Sequence, residues 1–179
     1  GKRKSELQDM LRASITSGAI DVNIMTKLDK TNYTKEGEQL SAEYSDAVAA
    51  LRGFANSKLS SSVVFSAGMN PRLYGYCETV SDFYPDDSGL QRKKIILKVS
   101  DFRSAMIQGK FLAKKGLWIS EFRIESGLNC GGHAFATDGL LLGPILEEFK
   151  MKRTQLTEEL FAICNSALAE RGKTLFEHI

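Results

Sequence analysis

Histidine is almost missing from this 179-residue chain: there are two, His133 and His178. His178 stands next to the last residue and is expected to fray, so chemistry that needs an imidazole falls to His133. Cysteine is scarce as well. Cys77, Cys130 and Cys164 form no Cys-x-x-Cys pair, and an odd count makes a poor disulfide framework, so a reducing, cytoplasmic setting is expected. No apolar run approaches the roughly 20 residues of a membrane helix. No basic–apolar–small leader opens the sequence. Neither sign of charge dominates: 24 Lys and Arg against 22 Asp and Glu, interspersed, leave a formal net charge of +2. A nucleic-acid binder would show a basic stripe, and the opening "GKRK" is too short to be one. Low-complexity tracts are also absent. The expected partner is therefore a small molecule, with no nucleic acid and no membrane.

The length suits a single α/β domain over residues 1–179 with a sizeable core. Glycine stands where an initiator methionine would be, so a piece of a longer barrel protein is also expected.

Against this plain background one stretch stands out. "IESGLNCGGHAFATDG", residues 124–139, gathers four glycines around Cys130 and His133. Glycine inside an element costs about 1 kcal/mol relative to alanine, so the cluster implies tight turns or a close approach of the backbone to a ligand.

The periodicity around it alternates. Residues 5–17 carry Leu7, Met10, Leu11 and Ile15 at helical spacing, with Ser5 as a cap and Gly18 as a stop. "AIDVNIM" alternates as a strand, with Ile20, Val22 and Ile24 on one face. A polar loop leads to a helix over 41–56, whose apolar face is expected to hold Tyr44, Val48, Leu51 and Phe54. "SSVVFSAGM" is a second, short run of strand type, "NPRLYG" a turn, and residues 77–92 an exposed loop. "KKIILKV" is a buried strand. A helix capped by Ser100 or Asp101 runs to Gly116. "LWISEFRI" is the last strand and delivers the chain into the glycine–histidine loop. From about Leu140 the sequence is helical, with a break expected near 150–154.

Strands alternating with helices predict parallel βαβ units with right-handed crossovers. Four strands make either half of a (β/α)8 barrel or a small open sheet, and periodicity does not choose between them. In both, functional groups gather at the C-terminal ends of the strands. The polar residues placed there are Asn23, Lys27, Ser66, Asn70, Lys98, Asp101, Glu121, Glu125 and Asn129. Lys98, in an otherwise apolar strand, is expected to meet an anionic group, either a ligand or Glu121.

The stretch from "KKIILKVSDFR" to "CGGHAF" resembles the flavin-dependent nitronate monooxygenases, in which a strand, a short helix and a second strand lead into an acidic residue and "GGH". "AIDVNIM" is similar to that family's "GVN" strand and "VVFSAGMNP" to its strand ending in a small-residue turn, so the resemblance spans about residues 19–139. It implies an FMN-binding (β/α)8 barrel that oxidises a small, nitronate-like carbon acid. His133 would be the general base, and Asn23, Lys98, Gly131 and Gly132 would touch the cofactor. Glu121, Glu125 and Asn129 would face the substrate. Leu128, Asn129 and Cys130 lengthen the loop beyond the family's pattern, and the family's glycine-rich phosphate-binding strands have no counterpart after residue 139.

The chemistry suits a histidine, because proton abstraction from carbon needs a base with a pKa near working pH. Several other readings stay open. His133 could cap the helix that follows, or Cys130 and His133 could bind zinc with help from Cys77 or Glu125. Cys130 could also be a nucleophile with His133 as its base, or "GLNCGG" could cradle a phosphate. The chain could instead be a non-catalytic fragment or binding domain. Trp118 is expected in the core. Tyr74 and Tyr76 either line a ligand mouth or pack on their own turn. Glu147, Glu148, Glu158 and Glu159 are expected on a solvated helix face.

Overall fold

"KKIILKV" is apolar on both faces, and the chain places it second from one edge of a four-stranded sheet. In the computed structural model, which describes residues 2–15, 20–24, 30–66, 68–125 and 142–177, the strands are β1 (Val22–Ile24), β2 (Ser61–Phe65), β3 (Lys93–Val99) and β4 (Ile119–Ile124). All neighbours are parallel and the spatial order is the chain order, β1-β2-β3-β4. The fold is therefore α/β with a parallel sheet and βαβ units, as the alternating pattern predicts.

The helices are α1 (Lys2–Ser14), α2 (Asp46–Ala55), α3 (Pro71–Cys77), α4 (Phe102–Ala113) and α5 (Leu142–Glu170). One face of the sheet, formed by Ile24, Val63, Phe65, Ile95, Leu97, Val99 and Ile119, shares a core with Leu51 and Phe54 of α2, Leu73 and Tyr74 of α3, Leu112 of α4, and Leu160 and Leu168 of α5. Each fully buried side chain of this size contributes roughly 1.5–3 kcal/mol. The intervening residues Asn23, Ser62, Val64, Lys94, Ile96 and Lys98 point to the other face, where no described helix packs. Along β4 the alternation breaks. A bulge between the β3 partners Ile95 and Ile96 leaves Ser120 unmatched, so Ile119 and Phe122 both turn to the core while Glu121 and Arg123 turn away.

The caps explain most helix boundaries. Asp101 accepts from the Ser104 amide at 2.6 Å and starts α4, and Gly116, at φ +72°, ends the turn beyond it in the conformation glycine adopts most readily. Lys93, the first residue of β3, is wholly buried. Its ammonium donates to the carbonyls of Ser57 (3.0 Å) and Leu59 (2.9 Å) and lies 4.5 Å from the Phe54 ring, at the end of α2 where a cation is favoured.

Several elements differ from expectation. "NPRLYG" is not a turn but the start of α3. Pro71 occupies the first helical turn, where no N–H is needed, and Asn70 accepts from the Leu73 amide at 3.0 Å. Tyr74 is buried within that helix, and its hydroxyl donates to Gln108 at 2.8 Å. It therefore lines no ligand mouth. The segment 77–92 buries Cys77, Phe83 and Tyr84 and is only partly exposed. The helix expected over 41–56 begins as a short tight turn at Ala42–Tyr44, which leaves Tyr44 exposed beneath Arg52. α5 runs unbroken through 150–154. Helix α1 starts at Lys2 rather than at a Ser5 cap, and Leu7, Met10, Leu11 and Ile15 are all exposed. Trp118 is half-buried against Phe161 and Phe176.

Candidate functional site at the C-terminal edge of the sheet

All four strands end at one edge, and the residues that close them set the local chemistry. Lys98, next to last in β3, lies on the helix-free face with its side chain only 12% exposed, and its Nζ is 3.4 Å from Glu125 Oε1. The Glu125 amide donates to the Val99 carbonyl at 2.9 Å, so the backbone that carries this acid is tied to the end of β3. Lys98 meets Glu125 and not Glu121, contrary to the simplest spacing. The register sets Lys98 level with Arg123, and Glu121 level with Ile96. Two cations side by side repel, and each takes its acids on a different side.

Arg123 turns toward the strand beginnings. Its Nε donates to Glu121 at 2.5 Å and a terminal nitrogen donates to Asp21 at 2.8 Å. These bonds, Glu121 first and then Asp21, raise the guanidinium's proton affinity further above its ordinary value. Asp21 precedes β1 and Arg123 is on β4, at opposite edges of the sheet. In a flat sheet three strand spacings, about 14 Å, would separate those edges. The ion pair therefore requires the sheet to curl toward its helix-free face. Val64 and Ile96 lie on that face at 1% and 2% exposure without a described helix above them. Sequence reasoning missed both Asp21 and Arg123. Glu121 and Arg123, two apart on a strand, were the available signal.

The other expected residues divide. Asn23 is exposed on the same face, level with Val64. Ser66 donates to the Ile24 carbonyl at 3.1 Å, tying the ends of β1 and β2. Asn70 and Asp101 are helix caps and are committed to backbone amides. Asn129, Cys130, Gly131, Gly132, His133 and Lys27 lie outside the described residues. Cys77 sits in the core beneath the opposite face, where burial pushes its thiol well above the ordinary range, so it is not placed to join a metal site with Glu125. Among the described residues no three His, Cys, Asp or Glu side chains converge as a cation site. No described helix is long and apolar enough to cross a membrane.

Fold and site together define a parallel α/β protein wound in one direction, with paired charges at the C-terminal edge of its sheet. No protein-family model, curated protein or solved structure matches the chain.

Proposed function

We propose that the chain forms one half of a (β/α)8-type barrel and binds a small anionic ligand of the FMN class at the C-terminal edge of the sheet. His133 would take a proton there from a carbon acid. The observation that supports this best is Lys98: a nearly buried cation at a strand end, on the helix-free face, with its carboxylate partner at the next strand end. A sheet whose spatial order follows the chain, with its helices on one face, is how a barrel is wound.

The described residues fit part of such a cofactor. Lys98 offers a positive charge to a phosphate or to an electron-rich ring edge, and Glu125 can release it. Asn23 offers an amide donor and acceptor on the same face. FMN, when bound, would accept the electrons of the oxidation. The remaining work falls to side chains: Lys98 anchors and orients, and the His133 imidazole receives the proton. The "GGH" stretch contributes the redox part of this reading.

The test is titration of the purified protein with FMN, followed by flavin fluorescence quenching. Lys98→Met should weaken binding at least about tenfold, as loss of one charge-assisted contact does. His133→Ala should leave binding unchanged and slow oxidation of a nitronate by about 10²- to 10⁴-fold. Cys130→Ser should be nearly silent. A protein that binds no flavin would refute the cofactor. A dead Cys130→Ser beside an active His133→Ala would move the chemistry to the thiol.

A further inference from the structure

We infer that a second copy of this chain closes the curled sheet, with β4 of each protomer lying parallel to β1 of the other in a two-fold symmetric ring of eight strands. This goes beyond the ligand reading and stands without it.

The first ground is the pair of open edges. Among the described residues β1 pairs only with β2 and β4 only with β3. Parallel sheets are normally covered, and an unpaired edge is a template for another strand. The β4 edge runs for six residues without the proline that would block pairing.

The second ground is direction. Because Arg123 reaches Asp21 across the helix-free face, the two edges turn toward a common axis instead of pointing apart. A two-fold rotation about that axis presents β4 to the partner's β1, and β1 to the partner's β4. Both contacts are then identical, and the assembly closes without growing into a filament.

The third ground is apolar surface at both flanks. Helix α1, which leads into β1, is 13 residues long and buries none of them, and Leu7, Met10, Leu11 and Ile15 are all more than half exposed. An isolated helix of that length is marginal in water. Ile20, just before β1, is 58% exposed. At the other flank α5, which follows β4, exposes Leu142, Leu146 and Met151. The ring sets α1 of one protomer against the start of α5 of the other and covers both stripes.

The fourth ground is charge. The helix-free face carries Asp21, Glu121 and Glu125 against Lys94, Lys98 and Arg123. Three acids balance three bases, so two such faces meet without net repulsion.

Light scattering on the full chain tests this. The wild type should show twice the chain mass, and Leu11→Glu and Leu146→Glu should each halve it while losing at most the helical signal of α1 in the far-ultraviolet circular dichroism, because both positions are exposed. Mixing the two variants should restore part of the dimer, since the mixed pair keeps one intact α1–α5 contact. A monomeric wild type overturns the inference, including one whose α1 stripe instead binds phospholipid vesicles. A dimer that neither variant disrupts overturns it equally. Neither result depends on flavin binding, so failure here leaves the proposed activity to its own test.

Discussion

Arg123 on the last strand of the sheet forms an ion pair, at 2.8 Å, with Asp21 before the first strand. The pair joins opposite edges of the sheet and crosses the face on which no described helix packs.

Its energy should be modest, because the two side chains are 40% and 27% exposed. Partly solvated pairs contribute about 0.5–1 kcal/mol. Asp21→Asn and Arg123→Gln should each lower unfolding stability by about that amount, less at high salt. A double-mutant cycle from urea unfolding should show positive coupling between them. No coupling at low salt would mean that the pair does not hold the curl.

Lys93 should matter more. Replacing it with methionine keeps the aliphatic stem but leaves the part-buried Ser57 and Leu59 carbonyls without their donor. A buried acceptor left unpaired costs about 1–3 kcal/mol. Lys93→Met should therefore lower the urea midpoint although it removes a buried charge. A rise in the midpoint would show that desolvation of the ammonium, which lowers its pKa, outweighs its bonds.

Two helical glycines should respond to alanine with opposite signs. Nothing lies within 4 Å of a Cβ at Gly53 in α2, so Gly53→Ala should stabilise by about 0.5–1 kcal/mol through helix propensity. At Gly109 in α4 the new methyl would stand 2.7 Å from Leu160 Cδ1, inside the α4–α5 seam. Overpacking costs about 1–3 kcal/mol, and Gly109→Ala should be net destabilising. Thermal melts of the two variants decide it, and a stabilised Gly109→Ala would mean that the seam is looser than described.

Alkaline pH should destabilise the fold. Burial raises the Cys164 thiol from 9.0 to about 12, and it pushes Cys77 and Tyr74 upward as well. A group whose folded pKa is raised stabilises fully below its unfolded value and loses that contribution as pH climbs toward the folded value. The window for Cys164 is therefore about pH 9 to 12, at up to about 1.4 kcal/mol per pH unit. Lys93, shifted the other way, offsets part of it. Cys164→Ala should flatten the fall of the urea midpoint with pH, and an unchanged slope would remove this thiol from the account.

The parts of the fold that were legible in sequence are those where local chemistry and tertiary packing agree. "KKIILKV" is apolar on both faces and is β3 from Lys93 to Val99. Asp101 and Gly116 bracket α4 because a cap and a positive-φ stop act locally. Asn70–Pro71 misleads because the same dipeptide that opens a turn also opens a helix when a leucine amide follows at the right distance. The exposure of α1 could not be read, since its spacing is that of a buried stripe and only the finished packing leaves it uncovered. At the site, the edge was legible and the pairing was not. One unmatched residue, Ser120, reverses the parity of β4 and puts Glu121 and Arg123 on the face of Lys98, whose partner is Glu125 beyond them. Asn70 and Asp101 carry the polarity expected of a site but serve their own helices.

That the strands stand side by side in the order of synthesis has a consequence for how the chain is made. Each new strand finds its partner in the one just completed, so a growing chain can add one strand at a time and never waits for a distant segment to pair. α5 is the exception. Leu160 lies against Gly109 and Leu168 against Gly116, so α4 stays uncovered until the last helix has left the ribosome. In that interval the underside of α4 is the surface most open to a chaperone, and the arrival of α5 ends it.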